Sequence, residues 1–302
     1  MKARMNSIML FLGVIGVVVI YSCKSINSTT NVLGGVRTFE YSNVVRIHMS
    51  KGEGEESSGS CTASIVSDNT LLTAAHCLND PNDTWVAVNI NDKVYGTSVF
   101  RYHESFEYDR TKKDKKQLIY DIGVVVFDSG IFSKLDKTTI SKELPFVGRL
   151  VRLVGFGRYT HKAWWSVNVT ADKEKSGYKR TGTNFVSKRE DCPLGMIEIK
   201  RMGDEITDAQ IDKHREAYHS KDVTVTAGDS GGPLLNEHNG ELYGIASFGS
   251  IEHACYSSPL FEPNLSFLRR MVLDPKIKAS IPEINNYTPM TMNKFQVLDK
   301  EL

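Results

Sequence analysis

Residues 228–233 read Gly-Asp-Ser-Gly-Gly-Pro. A serine set among glycines sits on backbone that can turn sharply, which exposes its hydroxyl. The same glycines leave backbone N–H groups uncovered, and such groups can hold the oxygen of a tetrahedral intermediate. A glycine-rich turn alone is only a turn. Its chemical meaning depends on what lies upstream.

Two stretches upstream supply it. Thr73-Ala74-Ala75-His76-Cys77 places an imidazole among small residues, beside a cysteine that can pin it to Cys61. A general base needs a ring held in one orientation, and a neighbouring disulfide helps to hold it. Tyr120-Asp121-Ile122-Gly123-Val124-Val125-Val126 puts an acid at the head of an apolar strand. Burying a lone carboxylate there is costly, so by itself Asp121 reads as a strand-start cap. Beside a histidine ring it gains a use, because it can fix the tautomer and stabilise the imidazolium. Gly228–Gly232 also satisfies the Gly-x-Ser-x-Gly elbow of α/β-hydrolases, whose acid and histidine follow the serine. Here only His238 and His253 follow, with no strand–helix alternation, which argues against that fold.

Outward from these motifs the chain consists of short apolar runs. They include Asn43–His48, Thr62–Val66, Trp85–Ile90, Ile122–Phe127, Leu150–Val154, Thr183–Val186, Met196–Ile199, Val223–Thr226 and Leu242–Phe248. Turn signals such as Asn91-Asp92 and Asn239-Gly240 separate several of them. Many short strands with little helix predict an all-β architecture. Asn264–Asp274 predicts a helix, with Asn264 as cap and Leu265, Leu268 and Val272 on one face. Ile206–Ala217 predicts a charged helical insertion, and Asp109–Lys116 a solvated loop. The tail 275–302 shows no strong period.

The N-terminus bears on compartment. Lys2 and Arg4 precede an unbroken run of apolar residues and glycines over 8–20. That is shorter than the roughly 20 residues of a membrane-spanning helix and fits a secretory signal over 1–22. Ile20-Tyr21-Ser22-Cys23 is similar to a bacterial lipoprotein signal, with Cys23 as the lipidated residue and a tether to the membrane; the alternative is a plain cleaved signal or an uncleaved short anchor, so the chain is expected to be secreted or a cell-envelope lipoprotein. Residues 23–31 then form a polar linker or propeptide. The other cysteines are Cys61, Cys77, Cys192 and Cys255, an even set that suits an exported chain. The full 302 residues carry 37 Lys+Arg against 36 Asp+Glu, a net charge of +1, which gives no electrostatic case for nucleic-acid binding. With 40% hydrophobic and 24% charged residues, the composition argues against a largely disordered chain.

Together, the histidine box, the Asp-headed strand and the Gly-Asp-Ser-Gly-Gly-Pro string, in that order, resemble the trypsin/chymotrypsin-like serine proteases (peptidase family S1). Val32-Leu33-Gly34-Gly35 is similar to that family's mature N-terminus, Gly155-Phe156-Gly157 to its Gly-Trp-Gly turn, and Gly244–Gly249 to its substrate strand. The resemblance covers about Val32 to Asp274. It implies two packed six-stranded antiparallel β-barrels, barrel 1 over about 32–143 and barrel 2 over about 144–260, then a closing helix at 264–274.

The resemblance also implies a serine endopeptidase that acts as a monomer on protein or peptide substrates. Ser230 is the nucleophile, His76 the base and Asp121 its orienting acid, with the N–H groups of Gly228 and Ser230 as oxyanion donors. The pocket residues would be Thr224, Ser247, Gly249 and Leu260. With Thr224 rather than an acid at the floor, a small or medium uncharged side chain is the expected substrate residue. Activation would free the Val32 amine by a cut after Asn31 and pair it with Asp229. Cys61–Cys77 matches the family's His-loop bridge. The cysteines that usually flank the nucleophile are absent, and Cys192 is expected to pair with Cys255. No cofactor or metal is implied, and the acid-poor stretch Val86–Ser98 is not expected to bind calcium. The alternative reading is a catalytically silent protease-like binding protein.

Overall fold

The computed structural model describes residues 35–107, 115–157, 178–200, 223–250 and 252–298. After the short β1 (Val36–Arg37) come β2 (Val44–Ser50), β3 (Ser57–Ile65), β4 (Thr70–Thr73), β5 (Trp85–Ile90), β6 (Lys93–Thr97), β7 (Phe100–Tyr102) and β8 (Gly123–Val126). These seven, β1 excepted, form one antiparallel sheet in the order β6-β5-β2-β3-β4-β8-β7. The later strands are β9 (Leu150–Gly155), β10 (Arg180–Phe185), β11 (Met196–Lys200), β12 (Pro233–Asn236), β13 (Leu242–Gly249) and β14 (His253–Ser257). With β1 they make a second seven-stranded sheet, β1-β10-β9-β12-β13-β14-β11.

Each sheet curls into a half-barrel with seven strands, not the six expected. The extra strand of the second sheet is β1, whose Val36 and Arg37 pair with Thr181 and Arg180. The start of the described chain therefore crosses to the second sheet instead of joining barrel 1. Local chemistry accounts for the hairpins. Asn91 and Asp92 both adopt positive φ, 51° and 62°, the twist that a tight β5–β6 turn requires. Val223–Thr226 forms no strand; it carries a single bridge, at Thr224, on its way into the serine turn.

Ile47, Ile65, Leu71, Leu72, Val124 and Val125 anchor the first core, and it runs on without a break into Leu235, Leu242 and Ile245 of the second sheet. This continuity covers β4 and β8 on both faces, so every position of each is buried. A side chain of this size gains about 1.5–3 kcal/mol by leaving water.

The predicted helix is α1 (Glu262–Leu273), and Asn264 does not cap it. Phe261 holds the cap position, and Pro263 lies in the first turn, where a missing N–H costs nothing. Asn264 is fully buried, and its amide donates to the carbonyls of Ile119 and Ser258, each at 2.9 Å. It thus ties the helix to the segment just before Asp121.

The tail packs closely although its sequence shows no period. Ile277, Ala279, Ile281, Ile284 and Tyr287 enter the first core. The Ser280 N–H donates to the Thr70 hydroxyl, 2.8 Å, and the Tyr287 hydroxyl to the Ile140 carbonyl, 3.0 Å. The Met290 N–H then reaches the Leu260 carbonyl, 2.8 Å, and α2 (Met292–Leu298) seats Phe295 against Cys192, Met196, Cys255 and Phe261. The tail therefore straps the first sheet to the second.

The signal segment 1–22, Cys23, the linker, Val32–Gly34, most of Asp109–Lys116 and the charged segment Ile206–Ala217 lie outside the described residues. Among the described residues no helix is long and apolar enough to cross a membrane.

Candidate active site

His76 stands on a single 3₁₀ turn, Ala75–Cys77, at the end of β4. The turn is pinned by the Cys61–Cys77 disulfide, and the sulfurs and a ring nitrogen of His76 lie within 4.8 Å of one another. That Cys-His-Cys cluster offers no metal site, because both sulfurs are spent in the bond.

Asp121 follows a second 3₁₀ turn, Lys115–Tyr120, and heads β8. Its side chain is completely buried, while that of His76 is 23% exposed. One carboxylate oxygen, Oδ1, accepts the backbone N–H of His76 at 2.8 Å. The other, Oδ2, lies 2.7 Å from His76 Nδ1 and accepts the Ser247 hydroxyl at 2.5 Å. A carboxylate facing Nδ1 favours the tautomer in which Nδ1 carries the proton and Nε2 the lone pair. Three hydrogen bonds also make burial of the charge tolerable.

Ser247 enters the site by a contact that its motif did not reveal. It reads as a pocket residue in the sequence, yet its hydroxyl is turned onto Asp121. Ser247 falls at an irregularity in the β13–β14 pairing, between Ala246 and Phe248, and its hydroxyl reaches from the second sheet to the acid of the first.

Ser230 lies half-buried on the turn between Thr226 and β12. Its carbonyl accepts the Thr62 N–H at 2.8 Å. The next residue, Gly231, has φ +79°, and a Cβ there would fall 2.1 Å from Thr73 Oγ1, 2.3 Å from the Thr62 carbonyl oxygen and 3.0 Å from the Ala74 nitrogen. The backbone of the serine turn therefore lies against the strand end that leads into His76.

Within this turn Asp229, Gly231 and Gly232 give their N–H groups to Thr226, Ala246 and Asp229 carbonyls. Among the described residues, no acceptor takes the N–H of Gly228 or of Ser230. Asp229 is 2% exposed; Oδ1 accepts the Gly157 N–H at 2.7 Å, and Oδ2 accepts the Thr226 N–H at 2.8 Å and the Thr226 hydroxyl at 2.9 Å. Val32, its expected partner, lies outside the described residues.

The pocket residues divide. Thr224 is fully buried and donates to the Ser250 carbonyl at 3.3 Å, beside the half-exposed Gly249. Leu260, expected at the pocket wall, lies in the first core. Strand β14 ends at Ser257, and beyond it Leu260 is 2% exposed. Strand register instead sets Ala254 opposite Gly249, where a Cβ on the glycine would come within 3.1 Å of the Ala254 Cβ. The second disulfide joins Cys192 to Cys255, next to Ala254. Two disulfides fit an extracellular protein.

Comparison with known proteins gives a consistent picture. A family model described as Trypsin matches residues 32–261. A trypsin of Sarcophaga bullata is 23% identical over 199 residues, covering 63% of this chain and 68% of the relative. Trypsin theta of Drosophila melanogaster is 23% identical over 225 residues, 71% of this chain and 75% of the relative. Snake venom serine proteinase 14 of Crotalus adamanteus is 28% identical over 192 residues, 63% of this chain and 66% of the relative. Among solved structures, a Glu endopeptidase aligns with a TM-score of 0.52 at 14% identity, over 80% of this chain and 97% of that one. Mouse neuropsin aligns with a TM-score of 0.53 at 17% identity, over 80% and 99%. These structural likenesses show a shared chymotrypsin-like fold.

Proposed function

The chain belongs to the trypsin family, and on that premise we propose that it is an active serine endopeptidase with Ser230, His76 and Asp121 as its triad. The observation that carries this reading is the buried Asp121 carboxylate, 2.7 Å from His76 Nδ1 and held there by hydrogen bonds from the His76 N–H and the Ser247 hydroxyl. A carboxylate held in this way favours a ring that becomes positively charged, as a general base does during catalysis.

Ser230 Oγ attacks the substrate carbonyl while His76 Nε2 takes its proton. The N–H groups of Gly228 and Ser230 receive the oxyanion, each such donor being worth about 3–4 kcal/mol of barrier. His76 then passes the proton to the leaving amine, and water releases the acyl group by the same steps in reverse order. Thr224, Gly249 and Ala254 suggest a small or medium uncharged residue at the cut.

Export rests on the signal-like segment 1–22, with Cys23 as a lipid tether. A cut between Asn31 and Val32 would free the amine for Asp229 and release the enzyme from that tether.

The test is covalent labelling of the processed protein by a fluorophosphonate, together with a panel of short peptide substrates. The wild type is expected to label and to cleave, and Ser230→Ala to do neither while unfolding at the same urea concentration. A folded, processed wild type that takes up no label would overturn the assignment in favour of a silent binding protein.

A further inference from the structure

Thr62 is wholly buried on β3, next to the disulfide residue Cys61. All its polar groups are engaged, and they reach three separate segments. Its N–H donates to the Ser230 carbonyl at 2.8 Å. Its hydroxyl donates to the Gly228 carbonyl at 2.8 Å and accepts the Phe156 N–H at 3.1 Å. Its own carbonyl accepts the Thr73 hydroxyl at 2.9 Å.

Gly228 and Ser230 are the two residues whose N–H groups are assigned to the oxyanion, and the carbonyls of both end on Thr62. The hydroxyl contact carries the most weight. Gly228 has φ +103°, and glycine has little intrinsic preference that would hold it there. Its orientation must come from outside. The Gly228–Asp229 peptide is clamped at both ends, its carbonyl by the Thr62 hydroxyl and its N–H by the Thr226 carbonyl at 3.0 Å. The Phe156 N–H on the other side of the hydroxyl fixes the direction in which that hydroxyl donates.

We propose that Thr62 is a positioning residue for the oxyanion hole: its hydroxyl sets the Gly228 backbone so that the Gly228 N–H points at the reacting carbonyl. The proposal rests on the serine endopeptidase reading. It concerns an interaction across the two sheets, from β3 to the serine turn, and it assigns Thr62 no contact with substrate.

Thr62→Val keeps the shape and removes the hydroxyl, whereas Thr62→Ser keeps the hydroxyl and removes the methyl. Both are made in the full chain, processed as the wild type is, and assayed by kcat, KM and the rate of fluorophosphonate labelling. An interaction made for the transition state lowers kcat and leaves KM. Loss of one hydrogen bond that orients a donor is expected to lower kcat and the labelling rate about tenfold or more in Thr62→Val, with KM within about twofold. Thr62→Ser is expected to stay within about threefold of wild type.

A folded Thr62→Val with wild-type kcat overturns the proposal, as does an equal loss in both variants, which would point to the methyl group. Should Thr62→Val not fold, Thr62→Ala is judged by the same criteria. If instead the wild type itself neither labels nor cleaves, the endopeptidase reading fails, a result distinct from an active wild type that tolerates the loss of the hydroxyl.

Discussion

Replacing Gly231 by alanine tests whether the serine turn docks on β3 as closely as the distances state. Two separate penalties apply. The residue has φ +79°, and an L-residue in the left-handed region loses about 1–2 kcal/mol. The new Cβ would also overlap the Thr62 carbonyl oxygen at 2.3 Å and Thr73 Oγ1 at 2.1 Å. Overpacking of this kind costs about 1–3 kcal/mol, and the upper end applies because one of the atoms struck is backbone and cannot swing aside. The expected loss is therefore about 3–5 kcal/mol, a large share of the 5–15 kcal/mol that holds a typical domain folded. Gly240→Ala is the control. Gly240 has φ +73° and nothing within 4 Å of its would-be Cβ, so it carries only the conformational part. Equilibrium urea unfolding, with disulfides intact and equal slopes, gives both numbers. Labelling of Gly231→Ala should also collapse, because a displaced turn carries Ser230 away from His76. If Gly231→Ala destabilises no more than Gly240→Ala, the turn does not sit against Thr62 and Ala74, and the placement of Ser230 beside the histidine strand falls with it.

Two further outcomes are expected. His103 is 3% exposed; its Nε2 reaches the Pro263 carbonyl at 3.2 Å, Nδ1 accepts the Ser105 N–H at 3.1 Å, and burial holds its pKa below the ordinary histidine value. The unfolded chain then binds the proton more readily, so the stability from this group is present above about pH 6.5 and is lost as pH falls below it. His103→Gln, which keeps a donor and an acceptor but does not titrate, should flatten the fall in urea midpoint below that pH; an unchanged slope would refute the assignment. In the tail, Tyr287 is 3% exposed and donates to the Ile140 carbonyl. Tyr287→Ala should lose about 3–5 kcal/mol and Tyr287→Phe about 1 kcal/mol by the same unfolding measurement, while a tail that merely rests on the surface would show neither.

The parts of the fold readable in the sequence are those that local chemistry decides. Trp85–Ile90, Asn91-Asp92 and the strand that follows declare a hairpin, because the turn needs two residues that tolerate positive φ. The run Ile122–Phe127 declares a buried strand by being apolar throughout. Where tertiary contacts decide, the sequence reading strays. Asn264 has the residue type and position of a helix cap, yet two carbonyls from distant segments claim its amide. The tail residues from Ile277 to Tyr287 fit the contour of a core that other segments have already shaped, so no helical or strand period marks them. Counting along the chain puts Leu260 at the pocket, but a register shift in the β13–β14 pair and the end of β14 at Ser257 leave Ala254 opposite Gly249 instead.

The same distinction separates the motif residues of the site from those that hold them. His76, Asp121 and Ser230 stand in recognisable strings because each needs a particular backbone around it. Ser247 and Thr62 act through single hydroxyls whose targets lie on the other sheet. Asp121 belongs to the first sheet and receives its hydroxyl from the second, whereas Gly228 belongs to the second and receives its hydroxyl from the first. On the roles proposed above, each half-barrel thus completes a functional group of the other, and neither half carries a finished site. The geometry depends on how the two sheets dock, which the continuous core and the tail together maintain. A small shift between the sheets would break both hydroxyl contacts together. On the proposed roles, the orientation of His76 and the aim of the Gly228 N–H are therefore coupled through that one docking, although the two residues lie far apart in the chain.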